Sequence, residues 1–93
     1  MSSYEVSFSR SFSRSLKRLL RSGSFDYEKL QSIVDNLVSG NMLSRGIKDH
    51  ALKADWAGYR ECHIESDLLL IYKVEGNVLV LAYLGTHSEL FGK

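Results

Sequence analysis

The chain has 93 residues, 44% hydrophobic and 25% charged, a balance that fits a single globular domain over 1–93 and excludes a disordered segment. Its net charge of +1 hides an asymmetry: residues 1–25 carry five basic groups against Glu5, a balance of +4, whereas residues 26–93 carry seven against ten acidic, a balance of −3. That split points to a partner of complementary charge on the N-terminal face, nucleic acid or an acidic protein, while an apolar run no longer than Leu68 to Tyr72 and the single Cys62 exclude a membrane-spanning helix and an internal disulfide.

Met1-Ser2-Ser3-Tyr4-Glu5 lacks the basic-then-apolar order of a signal peptide, so a cytoplasmic protein with no membrane contact is expected. Tyr4-Glu5-Val6-Ser7-Phe8 alternates apolar and polar residues, the period of a half-buried strand. Phe12, Leu16, Leu19 and Leu20 then recur at i, i+4, i+7 and i+8, one face of a helix. Arg10, Arg14, Lys17, Arg18 and Arg21 form a second, basic stripe on it. Such a stripe is either a solvated outer face or an anchor for phosphates or an acidic partner. Ser22-Gly23-Ser24 ends the pattern. A second helix begins at Asp26, a good N-cap, buries Leu30, Ile33, Val34, Leu37 and Val38, and stops at Gly40.

Residues 41–58 show no sustained period and read as a long loop, a feature that in small domains is often functional. Three β-rich runs follow: Tyr59–Glu65, Leu68–Val74 and Asn77–Leu84, joined by turns short enough for antiparallel hairpins. Thr86–Lys93 is left as a brief tail. The order β-α-α-β-β-β predicts an α+β fold with two N-terminal helices packed on one face of an antiparallel sheet. The other face is then available to a ligand.

All three histidines lie after residue 49: His50 in the long loop, His63 on the first strand of the meander, His87 just past its last. Glu61 shares a strand face with His63, and Asp67 occupies the next turn. An antiparallel meander can bring His50, His63, Asp67 and His87 together. Such a set suits RNA cleavage, in which a base takes the 2′-hydroxyl proton, an acid protonates the departing 5′-oxygen and a cation stabilises the phosphorane. Histidine serves as either acid or base near neutrality, and a carboxylate orients it. Taken alone, a histidine on a strand is usually an ordinary polar side chain. The His50, His63 and His87 spacings match no zinc motif, and no metal or other cofactor is expected. Cys62 reads as a small buried hydrophobe facing away from His63, which argues against a cysteine nucleophile. Trp56 reads as packing, Tyr59 as packing or base-stacking, and Phe91 as a core cap or a base-stacking residue beside His87.

Four segments then carry a recognisable pattern: Lys48-Asp49-His50-Ala51-Leu52, Trp56 through Ile64 with Gly58-Tyr59-Arg60 and His63, Asp67 through Lys73, and Gly85-Thr86-His87-Ser88-Glu89-Leu90-Phe91-Gly92. Together they resemble the YafQ branch of the RelE/ParE toxin superfamily over residues 4–92. The resemblance implies a RelE-like microbial RNase fold and an endoribonuclease toxin that cuts mRNA on the translating ribosome without metal. It implies a cognate antitoxin, often with a ribbon-helix-helix region, through which alone operator DNA would be bound. The family's catalytic set would fall on His50, His63, Asp67 and His87, with Phe91 beside them. His87 would be the general acid, His63 or His50 the base, Asp67 an orienting group, and Arg60 would lie near the scissile phosphate. The basic stripe would contact ribosomal RNA. Ala51 stands where members often have proline, and Leu68 where they often have an aromatic, which bears on loop rigidity and codon preference. The competing class is a ParE-like gyrase inhibitor, or a binding relative without activity. A gyrase binder has no use for three histidines together with Asp67.

Overall fold

The computed structural model describes residues 4–40, 50–52, 56–65 and 67–91. In chain order they form β1 (Glu5–Phe8), α1 (Arg10–Ser22), α2 (Tyr27–Ser39), β2 (His50–Ala51), β3 (Arg60–Glu65), β4 (Leu68–Glu75), β5 (Val78–Thr86) and α3 (His87–Phe91). The expected loop over 41–58 lies for the most part outside the described residues, and its described part includes the two-residue β2.

Local chemistry explains where the helices begin and end. Ser9 caps α1, its hydroxyl oxygen accepting the Phe12 N–H at 3.0 Å while also donating to the Ala82 carbonyl of β5. One serine thereby starts the helix and ties it to the sheet. Asp26 caps α2 as expected, with Oδ1 accepting the Lys29 N–H at 3.1 Å. Gly40 ends it in the left-handed region at φ 76°, donating its N–H to the Asn36 and Leu37 carbonyls. The presumed tail contains α3 because Thr86 and Glu89 form a reciprocal cap. Glu89 Oε1 accepts the Thr86 N–H at 3.0 Å, and Thr86 Oγ1 accepts the Glu89 N–H at 3.2 Å.

The sheet runs β1-β5-β4-β3-β2, four main strands with the short β2 at one edge. β3, β4 and β5 form the expected antiparallel meander. β1 corrects the expectation of a wholly antiparallel sheet: it lies parallel to β5, with Glu5 opposite Val78 and Phe8 opposite Leu81. Short turns force antiparallel pairing only on the strands they join. The long stretch between β1 and β5 permits a parallel partner.

The helices cover one face. Phe12, Leu30 and Ile33 meet Cys62, Ile64, Leu70, Leu79 and Leu84 in one buried cluster. Leu68 belongs to it too, so the residue after Asp67 serves the core. Full burial of each such aliphatic side chain contributes roughly 1.5–3 kcal/mol. Register then sorts the meander: Cys62, Leu70 and Leu84 are aligned partners facing the helices, whereas Glu61, Ile71 and Tyr83 face away, as do His63, Leu69 and Gly85.

Candidate active site

The face away from the helices is not a bare polar surface. Leu69 and Ile71 are fully buried on it, and Glu61 beside them is only 4% exposed. Trp56 closes part of this face. Its indole meets Tyr59, Tyr83 and Phe91 edge-on, with ring centroids 5.8, 5.1 and 5.4 Å away. Trp56 thus packs, as expected, and it also positions Phe91. Lys73 lies over the Tyr59 ring at 4.9 Å and 2.7 Å from Glu75. The bond to the Glu75 carboxylate raises the Lys73 pKa above its ordinary value.

α3 follows β5 without a loop and settles against Gly85. A Cβ there would stand 3.1 Å from Glu89 Oε1 and 3.5 Å from Leu90 Cδ2, an approach that suits glycine. The helix sets His87 over the sheet. His87 Nε2 is 3.3 Å from Glu61 Oε1, and Nδ1 is 3.6 Å from Asp67 Oδ1. The His87 ring centroid is 5.9 Å from that of His63 and 5.9 Å from that of Phe91. Half of the His87 side chain is exposed and Asp67 is largely in solvent, so the group opens outward from a buried carboxylate.

The structure therefore brings together His63, Asp67, His87 and Phe91. At His50 the backbone pairs in register with Glu61, next to the cluster. Arg60 is set apart: its register partner is Tyr72, a member of the helix-side cluster, so strand alternation puts Arg60 on the face opposite His63. Cys62 is buried on that face too, as expected. Arg10, Arg14, Lys17, Arg18 and Arg21 are all exposed on α1. Of these, Arg18 reaches toward the site, with Nη2 2.8 Å from Glu89 Oε2. Two residues gain roles that the motif reading did not give them. Glu61 was legible only as sharing a face with His63. Glu89 was legible as the fourth residue of Thr86-His87-Ser88-Glu89, the spacing of a capping box. Among the described residues, no three His, Cys, Asp or Glu side chains are grouped to hold a metal ion, and no helix is long and apolar enough to cross a membrane.

This geometry meets the requirements of acid–base chemistry on a phosphodiester. Two imidazoles stand within reach of one phosphate, one of them is flanked by two carboxylates, and an aromatic ring lies alongside for a base. Comparison with known proteins points the same way. Residues 4–92 match the family described as the bacterial toxin of type II toxin–antitoxin system, YafQ. An mRNA interferase toxin YafQ of Escherichia coli strain B is 36% identical over 90 residues, covering 96% of this chain and 92% of the relative. The structure of YafQ from E. coli BL21(DE3) superposes with a TM-score of 0.88 at 33% identity, covering 96% of this chain and 99% of that one. YafQ in the E. coli DinJ–YafQ toxin–antitoxin complex gives 0.87 at 33% identity, over 97% and 99%. A copper-bound mutant toxin from Helicobacter pylori gives 0.90 at 38% identity, over 95% and 99%.

Proposed function

The chain belongs to the YafQ family of type II toxins, an mRNA interferase paired with a cognate antitoxin, and from that premise we propose that it cuts mRNA on the translating ribosome. The observation that carries the mechanism is the placement of His87 between Glu61 and Asp67, with His63 alongside.

A base, His63 or His50, takes the proton of a ribose 2′-hydroxyl, and the freed oxygen attacks the adjacent phosphorus. The phosphorus–5′-oxygen bond breaks as His87 delivers a proton to that oxygen, leaving a 2′,3′-cyclic phosphate and a 5′-hydroxyl. Each positioned acid or base contributes about 10²–10⁴-fold. Glu61 is buried and holds Nε2, whereas Asp67 is exposed and can yield Nδ1 to the leaving oxygen as RNA enters. No metal takes part in this scheme. Phe91 stacks against a base beside the cut. Arg60 contacts RNA away from the cut, from the face of β3 opposite His63, and Arg10, Arg14, Lys17, Arg18 and Arg21 contact ribosomal RNA. Residues 1–93 act as one toxin domain in the cytoplasm. The antitoxin, through a ribbon-helix-helix region, is the only link to operator DNA.

Primer extension on an mRNA translated in vitro tests the proposal, using the protein and its His87→Ala form. Cleavages within codons that require ribosomes and vanish in the variant are expected. Equal cleavage of naked RNA would remove the ribosome from the mechanism, and intact mRNA with the active chain would refute the nuclease reading.

A further inference from the structure

A hollow lies beside the histidine cluster, where the meander meets the helices. It has a volume of 210 Å³ and opens between the C-terminal end of α1, the link to α2, and the ends of β3 and β5. Drug-sized ligands take about 300–1,000 Å³, so this space suits something smaller, on the scale of one planar ring system. Its walls are of two kinds. Leu19, Phe25 and Leu68 give it an apolar lining that continues the helix-side core. Glu65, Asp67, Ser24 and Thr86 set oxygen atoms around that lining. Among the described residues that line it, none is a lysine or arginine.

Charge narrows the occupant. Two carboxylates with no cation among them repel a phosphate and accept from N–H donors. Glu65 Oε1 accepts the Asp26 N–H at 3.3 Å, which holds the side chain against the start of α2; among the described residues Oε2 makes no bond. Place narrows it further. Asp67 borders the hollow and stands 3.6 Å from His87 Nδ1. Thr86 borders it too and immediately precedes His87, whereas Phe91 follows His87 by one helical turn, with ring centroids 5.9 Å apart. The hollow and Phe91 therefore flank His87 along α3. A strand whose scissile phosphate lies at His87 carries one neighbouring base to Phe91 and the other to the hollow.

We propose that this hollow is a base-reading subsite for an amino-bearing base, on the nucleotide across the cut from Phe91. Glu65 accepts from the amino group, while Leu19, Phe25 and Leu68 pack on the ring. A splayed-out base is read in this way, by its flat apolar face and its pairing edge. Adenine, cytosine and guanine carry an exocyclic amine; uracil turns a carbonyl oxygen where cytosine has its amine, and that oxygen would face a carboxylate. The proposal rests on the nuclease reading above. It adds a residue, Glu65, that sets specificity without touching the reacting atoms.

The test has two arms, both on the purified full chain and its Glu65→Gln and Ser24→Phe variants. Glu65→Gln keeps the shape and adds a donor beside the acceptor, whereas Ser24→Phe fills the hollow from its exposed rim. In the first arm, mRNAs translated in vitro carry each of the four bases in turn on either side of a mapped cut. On one side, the parent is expected to cut about 5-fold or more faster with an amino-bearing base than with uracil. Glu65→Gln is expected to bring that ratio near one by raising the rate with uracil, and Ser24→Phe by lowering the others. Partial unfolding lowers all four rates alike, so the ratio alone reports recognition. In the second arm, 2′-O-methyl trinucleotides, which cannot be cut, are titrated into the chain. Those with amino-bearing bases are expected to shift the amide NMR signals of Ser24 and Thr86, and uridine trinucleotides to leave them in place. A parent indifferent to the base on both sides of the cut would overturn the proposal. So would an unchanged ratio in both variants, or equal shifts with every trinucleotide. If the parent cuts no mRNA, the nuclease reading falls and the trinucleotide arm decides the subsite by itself.

Discussion

His87 Nε2 lies 3.3 Å from Glu61 Oε1, so a histidine half open to solvent stands directly beside the most buried carboxylate of the cluster. Burying an unpaired carboxylate costs several kcal/mol, so a protonated His87 at this distance would stabilise Glu61. Glu61→Gln keeps the shape and removes the charge. It is expected to lower the single-turnover cleavage rate about 10-fold or more and to alter the pH–rate profile, with little change in ribosome binding. Glu61→Asp, which restores the charge on a shorter arm, should recover part of the rate. An unaltered pH profile in Glu61→Gln would reduce Glu61 to a packing residue.

His63 and His87 share one phosphate in the proposed chemistry, so their losses should not add. Each histidine-to-alanine change is expected to reduce cleavage by about 10²–10⁴-fold, and the double variant by little more than the worse single one. Rates measured at saturating ribosomes would check this. Additive losses in the logarithm would mean that the two rings act in independent steps.

Much of this cluster could be read from strand alternation. Period two put Glu61 and His63 on one face and Cys62 on the other, and the register bears that out. The same parity places Arg60 with Cys62, whereas the family resemblance puts Arg60 near the scissile phosphate with the histidines. Proximity along a strand is not proximity across its faces. The burial of Glu61 was not legible, since it depends on side chains from Trp56 to Phe91 converging over one face. Nor was the parallel pairing of β1, because no turn between β1 and β5 dictates their direction. The partner of Arg18 is 71 residues away, beyond any local pattern.

That distant partner divides the basic helix into two functions. Arg18 is engaged with Glu89 across an exposed gap, a type of ion pair worth about 0–1 kcal/mol. Arg18→Ala is therefore expected to shift the unfolding free energy by no more than about 1 kcal/mol. Replacing Arg14 and Lys17 by Glu should instead weaken ribosome association and flatten its dependence on salt, because released counterions set that slope. Sedimentation with ribosomes across a salt series separates the two cases. If Arg18→Ala flattened the slope as much as the double charge reversal, Arg18 would be an RNA contact that leaves Glu89 on binding.

The seat of α3 on β5 gives the sharpest test of how His87 is held. Gly85 meets Glu89 and Leu90 so closely that an added methyl would stand 3.1 Å from Glu89 Oε1, the oxygen that also accepts the Thr86 N–H. Gly85→Ala therefore requires the Glu89 carboxylate to give way by a few tenths of an ångström, which disturbs its bond to the Thr86 N–H. The expected outcome is a modest loss of thermal stability with a drop in cleavage of about 10-fold or more, because the same five-residue helix carries His87 and Phe91. Adding Glu89→Ala to Gly85→Ala removes the nearest obstructing atom. If the cap matters only through that carboxylate, the double variant should resemble Glu89→Ala alone. Full activity in Gly85→Ala would show that the register of α3 on β5 does not govern the position of His87.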